Sequence, residues 1–340
     1  MPDELRLGLA LVSALAVTAA ATPLARHIAQ RTEFLDHPAG YKRHAHPIPY
    51  LGGAAVVTGF IVAAAAFGSG AQSRWLLIGS VALLCLVGTI DDRSGLPIGP
   101  RLASQIAVAV ALWASGSGWD LLVAEPVNLA VTAIWVVGIA NAVNLLDNLD
   151  GAAGTVGGTS ALGIAILAIV EGEVGIAAIA LALAGACAGF LPFNVSRPPS
   201  IFLGDGGSVS IGLVLAFATM AIEPGQLGWV SLLASVPLVG VLIFDTTLVV
   251  VSRYKRRLPI LQGGRDHVTH RLLTGVGSPQ KVCLVLGLTQ ALLSGLAIAL
   301  HQLSAAQASA AAIAYCALGA LTLVLFERPG TTRVAAEKTP

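Results

Sequence analysis

Long apolar segments alternate with short polar ones along almost the whole chain. A helix that crosses a bilayer needs roughly 20 mostly apolar residues, and eleven segments come close to that length. They are residues 5–22, 50–68, 75–90, 102–119, 127–146, 152–170, 174–193, 207–223, 229–251, 281–300 and 306–326. The pattern predicts an all-α integral membrane protein, a polytopic bundle of about eleven transmembrane helices. We expect residues 1–326 to form a single transmembrane domain and residues 327–340 a short tail.

Two of these segments have weaker patterns than the others. The first ends in an Ala-rich run like that of a signal peptide, but Asp3 and Glu4 stand where a signal peptide carries basic residues. This favours a retained helix. Segment 102–119 is the least apolar, because it contains Ser104, Gln105 and further serines.

Composition supports a membrane location. Hydrophobic residues make up 56% of the chain and charged residues only 11%, whereas a soluble domain carries about 25% charged residues. The 38 glycines suit close approach between helices in a bilayer. A net charge of +1 with no large basic block argues against nucleic-acid binding. The four cysteines are isolated in apolar runs and indicate neither disulfides nor a zinc site.

The basic residues predict the orientation of the helices. If the segments alternate in direction, 17 of the 19 Lys and Arg residues fall in one set of loops, and the other set holds Arg6 and Arg74. Loops rich in Lys and Arg face the cytoplasm. We therefore expect a multi-pass membrane protein with the N-terminus outside and the C-terminus cytoplasmic.

The carboxylates on the predicted cytoplasmic side cluster in three motifs. Asp91 and Asp92 begin DDRSGLP, Asp147 and Asp150 lie in NAVNLLDNLDG, and Asp205 lies in FLGDGGS. Acidic residues at a membrane boundary are costly unless they are solvated, paired or bound to a cation. The alternative is that these motifs end helices or form capped turns. Three motifs on one face favour a divalent-cation site, and oxygen ligands favour Mg²⁺.

Spacing within two motifs predicts local geometry. Asn144, Asp147 and Asp150 recur every third residue, so they are expected to share one helical face. In FLGDGGS, a helix N-terminus at 207–208 would suit a phosphate group. Asp245, inside the ninth segment, is interpreted as a satisfied structural polar group near the site.

Histidines provide a further candidate segment. His267 and His270 share GGRDHVTHRL with Arg265. Histidines beside arginines and glycines in a long loop are typical of phosphate binding. HVTH differs from the HExxH pattern, which argues against a zinc protease.

Together these motifs resemble the polyprenyl-phosphate N-acetylhexosamine-1-phosphate transferases. The resemblance covers about residues 35–275. Its motifs, in order, are LDHPAGYKRHAHPIPYLGG (35–53), DDRSGLP (91–97), NAVNLLDNLDGAAG (141–154), FLGDGGS (202–208) and GGRDHVTHRL (263–272). The KRHAHPIPYLGG and GGRDH segments are closer to the N-acetylglucosamine-1-phosphate branch than to the branch that uses UDP-N-acetylmuramoyl-pentapeptide. Asn148 stands where the family commonly has Gly, and Thr269 interrupts what is often a tighter histidine cluster.

The resemblance implies a magnesium-dependent sugar-1-phosphate transferase with its active site on the cytoplasmic face. The enzyme would transfer N-acetylglucosamine 1-phosphate, or a related N-acetylhexosamine 1-phosphate, from a UDP-sugar to undecaprenyl phosphate and release UMP. By the same resemblance, this would be the first membrane step of cell-envelope polysaccharide synthesis, in a bacterial inner membrane. A homodimer is compatible with the resemblance.

The resemblance also implies roles for individual residues. Asp205 is the expected ligand of Mg²⁺, or alternatively Mn²⁺, with Asn144 as a second ligand. Asp147 and Asp150 would orient the nucleotide or metal-bound water.

Two groups of residues are expected to bind the substrates. Asp91 and Asp92 would position or deprotonate the lipid phosphate, which Arg101 and Lys42 would attract. On the donor side, the expected residues are Phe202 stacked on uracil beside Gly204, and Arg265, His267 and His270 in contact with the diphosphate or the sugar.

Two other classes of protein are alternatives. A secondary transporter also has carboxylates in broken helices, but its site lies near the bilayer midplane between paired repeats. Here the carboxylates lie at one boundary, and the two halves of the chain share no motif. A non-catalytic scaffold is disfavoured because the acidic motifs are intact.

Overall fold

The computed structural model describes residues 1–36, 47–68, 71–222, 232–233, 235–260 and 264–327. Twelve α-helices are bounded within these ranges. They are α1 (Asp3–Arg31), α2 (Gly52–Phe67), α3 (Ala71–Ser94), α4 (Ile98–Ala114), α5 (Glu125–Leu146), α6 (Ala152–Val170), α7 (Val174–Asn194), α8 (Gly204–Met220), α9 (Gly240–Arg256), α10 (Val268–Val276), α11 (Pro279–His301) and α12 (Ala305–Phe326). A 3₁₀ helix, Val236–Val239, leads into α9. Strands β1 (Leu35–Asp36) and β2 (Ile48–Pro49) pair antiparallel, with Leu35 opposite Pro49.

Each of the eleven predicted segments corresponds to a helix. Within the described part of the chain, eight helices are long and apolar enough to cross a membrane. One of these eight combines the 3₁₀ helix with α9, over Val236–Arg256. The remaining three segments correspond to the shorter apolar helices α2, α4 and α8. The predicted fold class, an all-α polytopic membrane protein, is therefore confirmed, whereas the orientation of the termini stays a prediction.

Several helix boundaries differ from the prediction. Helix α1 continues past residue 22 to Arg31, because its buried positions keep helical spacing through Ala25 and Ala29 while Arg26 and Arg31 are exposed. Apolar content alone does not detect such an amphipathic extension. Helix α4 starts at Ile98 and ends at Ala114, just before Gly116, whose φ of +77° is left-handed. The short helix α10 was not predicted.

Helix α8 lies at the centre of the bundle. Every residue from Gly206 to Met220 is buried, and α8 packs against α2, α3 and α5. The approach of α3 is close: a Cβ atom added at Gly88 would collide with the backbone nitrogen of Gly206. This packing brings the last turn of α3 and the C-terminal end of α5 to the first turn of α8.

Candidate active site

The three acidic motifs meet where three helix ends converge. Asp91 and Asp92 lie in the last turn of α3, Asp147 follows the last residue of α5, and Asp205 lies in the first turn of α8. The motifs are separated in sequence, but the packing of α3 and α5 against α8 places them together. The sequence prediction grouped these residues by side of the membrane alone.

Asp92 caps the N-terminus of α8 from a different helix. Its Oδ1 accepts a hydrogen bond from the backbone N–H of Asp205 at 3.0 Å, and its Oδ2 lies 3.5 Å from the backbone nitrogen of Gly206. The first N–H groups of a helix have no hydrogen-bond partner within the helix. A carboxylate from outside the helix can accept their hydrogen bonds, and its negative charge is stabilised by the positive end of the helix dipole. The predicted helix start at 207–208 was therefore wrong: α8 begins at Gly204, and Asp92 already occupies that N-terminus.

Gly204 makes this cap sterically feasible. Its φ is +75°, in the left-handed region that glycine tolerates. A Cβ atom at this position would lie 2.5 Å from Asp92 Oδ2. Any side chain at residue 204 would therefore displace the Asp92 carboxylate.

Asp205 interacts with Asn144 and Arg101. Asp205 Oδ1 accepts a hydrogen bond from Asn144 Nδ2 at 2.8 Å, and the same Nδ2 lies 3.0 Å from Ser208 Oγ. Asp205 Oδ2 lies 3.6 Å from Arg101 Nη1. The two residues expected to bind the metal are thus neighbours in the fold.

Arg101 links Asp205 to Asp91. Its Nη1 lies 2.5 Å from Asp91 Oδ2, while Asp91 Oδ1 accepts a hydrogen bond from the backbone N–H of Leu96 at 2.6 Å. A cleft between α3, α4 and α8 opens beside these groups. Its lining residues are Leu84, Val87, Gly88, Asp91, Arg101, Ser104, Gln105, Asp205 and Val209. The cleft therefore combines an apolar wall with one cation and two carboxylates.

Asp147 and Asp150 lie in a turn after α5. The predicted shared helical face was wrong, because α5 ends at Leu146 and only Asn144 is in the helix. The side chain of Asn148 donates from Nδ2 to Leu145 O at 2.6 Å and so satisfies a carbonyl group at the end of α5. Gly151, with a φ of +84°, then starts the reversal into α6.

Asp147 nevertheless joins the other carboxylates. Its carboxyl group accepts a hydrogen bond from the backbone N–H of Gly204. The pKa of Asp147 is raised well above the usual value of an aspartate. Burial is the largest cause, and the negative charges of Asp150, Asp205 and Asp92 raise the pKa further. A cluster of carboxylates that repel one another attracts cations.

The described residues contain no group of three or more His, Cys, Asp or Glu side chains arranged to hold a metal ion. Mg²⁺ is nevertheless commonly held by one or two carboxylates together with water and phosphate oxygens from the substrate. The pair formed by Asp205 and Asn144 fits that type of incomplete site, because it supplies oxygen atoms within a cluster of negative charge.

The histidine segment, residues 264–271, is anchored to α9. His267 Nδ1 lies 2.8 Å from Asp245 Oδ2, and Asp245 Oδ1 accepts the backbone N–H of Val268 at 2.7 Å. Asp245 is fully buried and is the satisfied polar group that was predicted. Arg253 binds Asp266 through two hydrogen bonds, of 2.8 and 3.0 Å.

The charges around this segment shift two pKa values. Burial alone would raise the pKa of Asp266, but the hydrogen bonds and charge of Arg253 outweigh it, so that pKa is lowered. Burial, with the positive charges of His267 and Arg265, lowers the pKa of His270 to about 4. The His267 and His270 rings lie 6.3 Å apart, centre to centre. His267 is only 3% exposed.

Residues 147–150, which follow α5, form a turn that we call the acidic turn. The histidine segment contacts this turn through Thr269. The Thr269 hydroxyl group donates a hydrogen bond to Asn148 Oδ1, and Thr269 is completely buried. The Thr269 side chain therefore faces the acidic turn. The two positions at which the sequence analysis noted a difference from the resembled family are in contact.

Phe202 belongs to a short aromatic row. Its backbone N–H donates to Pro49 O at 2.9 Å, and its carbonyl group accepts from Gly52 N at 3.0 Å. Its ring centre lies 6.0 Å from that of Tyr50. Lys42, expected to attract the lipid phosphate, lies outside the described residues.

Two structurally important residues were not predicted. Asn194 accepts the backbone N–H of Gly151 at 2.7 Å and donates to Ile201 O at 3.1 Å, so it ties the acidic turn to the chain before α8. In the sequence, Asn194 is recognisable only as the first residue of an Asn-Val-Ser glycosylation pattern, which does not indicate this structural role. Arg253 carried no signal beyond its positive charge.

Comparisons with known proteins identify the family of the chain. Residues 74–223 match the family model described as "Glycosyl transferase family 4". The chain is 30% identical to the "Probable undecaprenyl-phosphate N-acetylglucosaminyl 1-phosphate transferase" of Bacillus subtilis, over 80% of this chain and 79% of that protein. It is 32% identical to the "Decaprenyl-phosphate N-acetylglucosaminephosphotransferase" of Mycobacterium leprae, over 82% and 80%. It is 22% identical to the "Undecaprenyl-phosphate alpha-N-acetylglucosaminyl 1-phosphate transferase" of Escherichia coli K12, over 81% and 78%.

Proposed function

The chain belongs to glycosyl transferase family 4, and on this basis we propose that it transfers N-acetylglucosamine 1-phosphate from UDP-N-acetylglucosamine to undecaprenyl phosphate. An oxygen of the lipid phosphate attacks the β-phosphorus of the UDP-sugar. The bond from that phosphorus to the bridging oxygen breaks, and UMP leaves with this oxygen. The products are UMP and undecaprenyl-diphosphate-N-acetylglucosamine.

The observation that carries this proposal is the junction of five carboxylates beside an arginine and an apolar cleft. Asp92, Asp147 and Asp205 meet where α3, α5 and α8 converge, Asp91 pairs with Arg101, and Asp150 lies in the adjoining turn. Two anionic substrates approach each other in this reaction, so the site must provide cation binding and positioning. A water-soluble acceptor would not require an apolar wall next to these charges.

The acceptor is assigned to the Arg101 side of the junction. Leu84, Val87 and Val209 line the cleft next to the Arg101 guanidinium group, an arrangement that suits a phosphate group on an apolar chain. The guanidinium group would attract the phosphate electrostatically and form paired hydrogen bonds with its oxygens. A phosphate monoester has a second pKa of about 6 and is mostly ionised at neutral pH, so deprotonation by an aspartate is not essential.

Asp92 is assigned a positioning role. Both of its oxygens face the backbone N–H groups at the start of α8, which orients the first turn and hence Asp205. This assignment is narrower than the sequence-based role of positioning or deprotonating the lipid phosphate.

Asp205 and Asn144 would hold Mg²⁺ together with oxygens of the donor diphosphate. When bound, Mg²⁺ would neutralise the diphosphate and make its phosphorus more electrophilic. Asn144 donates to Asp205 from Nδ2, which leaves its carbonyl oxygen to face a ligand. Asp147 and Asp150 would orient the nucleotide or water around this position.

The donor is assigned to the side of the site between Phe202 and the histidine segment. Phe202 would stack on uracil beside Gly204, while Arg265, His267 and His270 would contact the diphosphate or the sugar. Asp245 supports this role for His267, because its carboxylate holds the ring through Nδ1 and leaves Nε2 for a substrate oxygen. The distribution of basic residues supports placing this site on the cytoplasmic face of a bacterial inner membrane.

An assay with the purified protein tests the proposal. Radiolabelled UDP-N-acetylglucosamine and undecaprenyl phosphate are incubated in detergent with Mg²⁺ or EDTA, and lipid-soluble label and UMP are measured. We expect labelled lipid and UMP in equal amounts, only with Mg²⁺, and a loss of at least roughly 100-fold with Asp205→Asn, or about 2.7 kcal/mol. Asp120→Asn is the matched control, because Asp120 binds Asn128 at the opposite end of α5.

Three results would contradict the proposal. Labelled lipid formed equally well by the Asp205→Asn variant would remove the acidic junction from catalysis. Label transferred only from UDP-N-acetylmuramoyl-pentapeptide would assign the protein to the other branch. Uptake of UDP-sugar into proteoliposomes without UMP release would indicate a transporter.

A further inference from the structure

Asn148 and Thr269 bring together two segments that lie 121 residues apart in sequence. Asn148 lies between Asp147 and Asp150 in the acidic turn, and Thr269 lies between His267 and His270. We infer that these two residues form a latch that sets the position of the histidine segment relative to the acidic turn, and that turnover depends on it. The inference rests on the proposed transferase function.

The geometry of Asn148 favours this contact. Its Nδ2 donates to Leu145 O at the end of α5. Because this hydrogen bond fixes the direction of the amide group, Oδ1 points away from α5 and accepts a hydrogen bond from the Thr269 hydroxyl group. Both ends of the amide therefore form hydrogen bonds, one to the end of α5 and one across to α10.

Thr269 differs in this respect from Thr274 and Thr247. Thr274, also on α10, donates to Arg271 O within its own helix, and Thr247 donates to Ile243 O in the same way. The Thr269 hydroxyl group instead points out of α10, although the residue is completely buried. If Asn148 moved away, this hydroxyl group would be left without its partner in a dry environment, which costs about 1–3 kcal/mol.

The other anchors of the histidine segment hold it to α9 and to the end of α12. On the α9 side, Asp245 binds His267 and the backbone of Val268, and Arg253 binds Asp266. At the end of α12, Arg271 binds Phe326 O and Glu327. These anchors act on the histidine segment from α9 and α12, whereas the latch is a direct hydrogen bond between the segment and the acidic turn. Thr269 and Asn148 are therefore positioning residues that act through the flanking histidines and aspartates.

A double-mutant cycle in the purified full-length protein tests the latch. Thr269→Val removes the hydroxyl group with little change in volume, and Asn148→Ala removes its acceptor. We expect each substitution to lower kcat about tenfold, or about 1.4 kcal/mol, with KM for UDP-N-acetylglucosamine within about twofold. Because both remove the same contact, the double variant should also lose about tenfold rather than about 100-fold. Thr269→Ser, which keeps the hydroxyl group, should recover most of the turnover.

Thr274→Val is the matched control, because it removes a threonine hydroxyl group from the same helix without affecting the latch. Amide hydrogen exchange of residues 264–271 provides a measurement that does not depend on activity. Exchange should rise in Thr269→Val and in Asn148→Ala, and no further in the double variant, while Thr274→Val matches the wild type.

Failure of the latch and failure of the proposed function give different results. An inactive wild-type protein would refute the transferase function, and exchange would still decide whether the latch exists. Unchanged exchange in Thr269→Val, or a loss of about 100-fold in the double variant, would overturn the latch. Raised exchange with normal kcat in an active enzyme would show a merely structural contact and overturn its role in turnover.

Discussion

Replacing Gly204 by alanine should disrupt the cap that Asp92 places on α8. Two effects add at this position. A left-handed φ of +75° costs a residue with a Cβ atom about 1–2 kcal/mol. The new Cβ atom would also lie 2.5 Å from Asp92 Oδ2, so the carboxylate must move away from the helix N-terminus.

The second effect can be estimated from the hydrogen bonds that are lost. The bond from Asp205 N to Asp92 Oδ1 is 3.0 Å long, whereas the contact from Gly206 N is at the limit, 3.5 Å. Loss of one hydrogen bond to a charged group costs about 1.5–3 kcal/mol. Movement of the Asp92 carboxylate would also shift Asp205. If this shift removes the same free energy from the stabilisation of the transition state, the rate falls roughly 10- to 100-fold.

Gly172→Ala is the control for backbone strain. Gly172 has a φ of +80°, lies between α6 and α7, and has no atom within 4 Å of an added Cβ. Both variants would be compared by thermal unfolding in detergent and by the rate of labelled lipid formation. We expect Gly172→Ala to be destabilised by strain alone and to keep its activity per folded molecule. A Gly204→Ala enzyme with normal turnover, or one no less stable than Gly172→Ala, would refute the assigned role of Asp92.

Three further predictions concern other parts of the protein. Phe202→Ala should raise KM for the UDP-sugar by roughly fivefold or more, since base stacking is worth about 1–3 kcal/mol; steady-state kinetics showing a loss in kcat alone would contradict nucleotide stacking. His270 stays neutral in the fold down to about pH 4, whereas in the unfolded chain it takes up a proton below about pH 6.5. The melting temperature should therefore fall as the pH drops from about 6.5 towards 4, and it should fall less steeply in His270→Gln. The same dependence of melting temperature on pH in both proteins would contradict this role of His270. In a Cys316→Ser background, Ser304→Cys should react with an impermeant thiol reagent in intact cells and Ser94→Cys should not, and the reverse result would overturn the predicted orientation.

Local features of the sequence predicted the transmembrane helices. Each apolar segment is identified by hydropathy summed over about 20 neighbouring residues, so no knowledge of packing was needed. The same holds for the acidic motifs, in each of which aspartates and glycines lie within one short segment. The errors in the helices were at their ends, as in α1, where burial continues on one face after the apolar run has stopped.

Contacts between distant segments depended on the tertiary structure. The cap from Asp92 joins residues 113 positions apart, and the start of α8 could not be located without it. Asp150 does not lie on the predicted helical face, because α5 ends at Leu146 and the Asn148 side chain forms a hydrogen bond to the end of that helix. Asn194 and Arg253 gave no useful signal, since their importance comes from the partners that folding brings to them.

The sequence by itself therefore determined that the chain spans a membrane as a helical bundle and which acidic and histidine motifs it carries. Hydrophobicity and residue type are local properties, and they are sufficient for these conclusions. Only the tertiary structure decided that Asp92 faces the α8 N-terminus and that Thr269 is buried against Asn148. These hydrogen bonds have fixed directions and short range, so they depend on how α3, α5, α8 and α10 are placed in the folded protein.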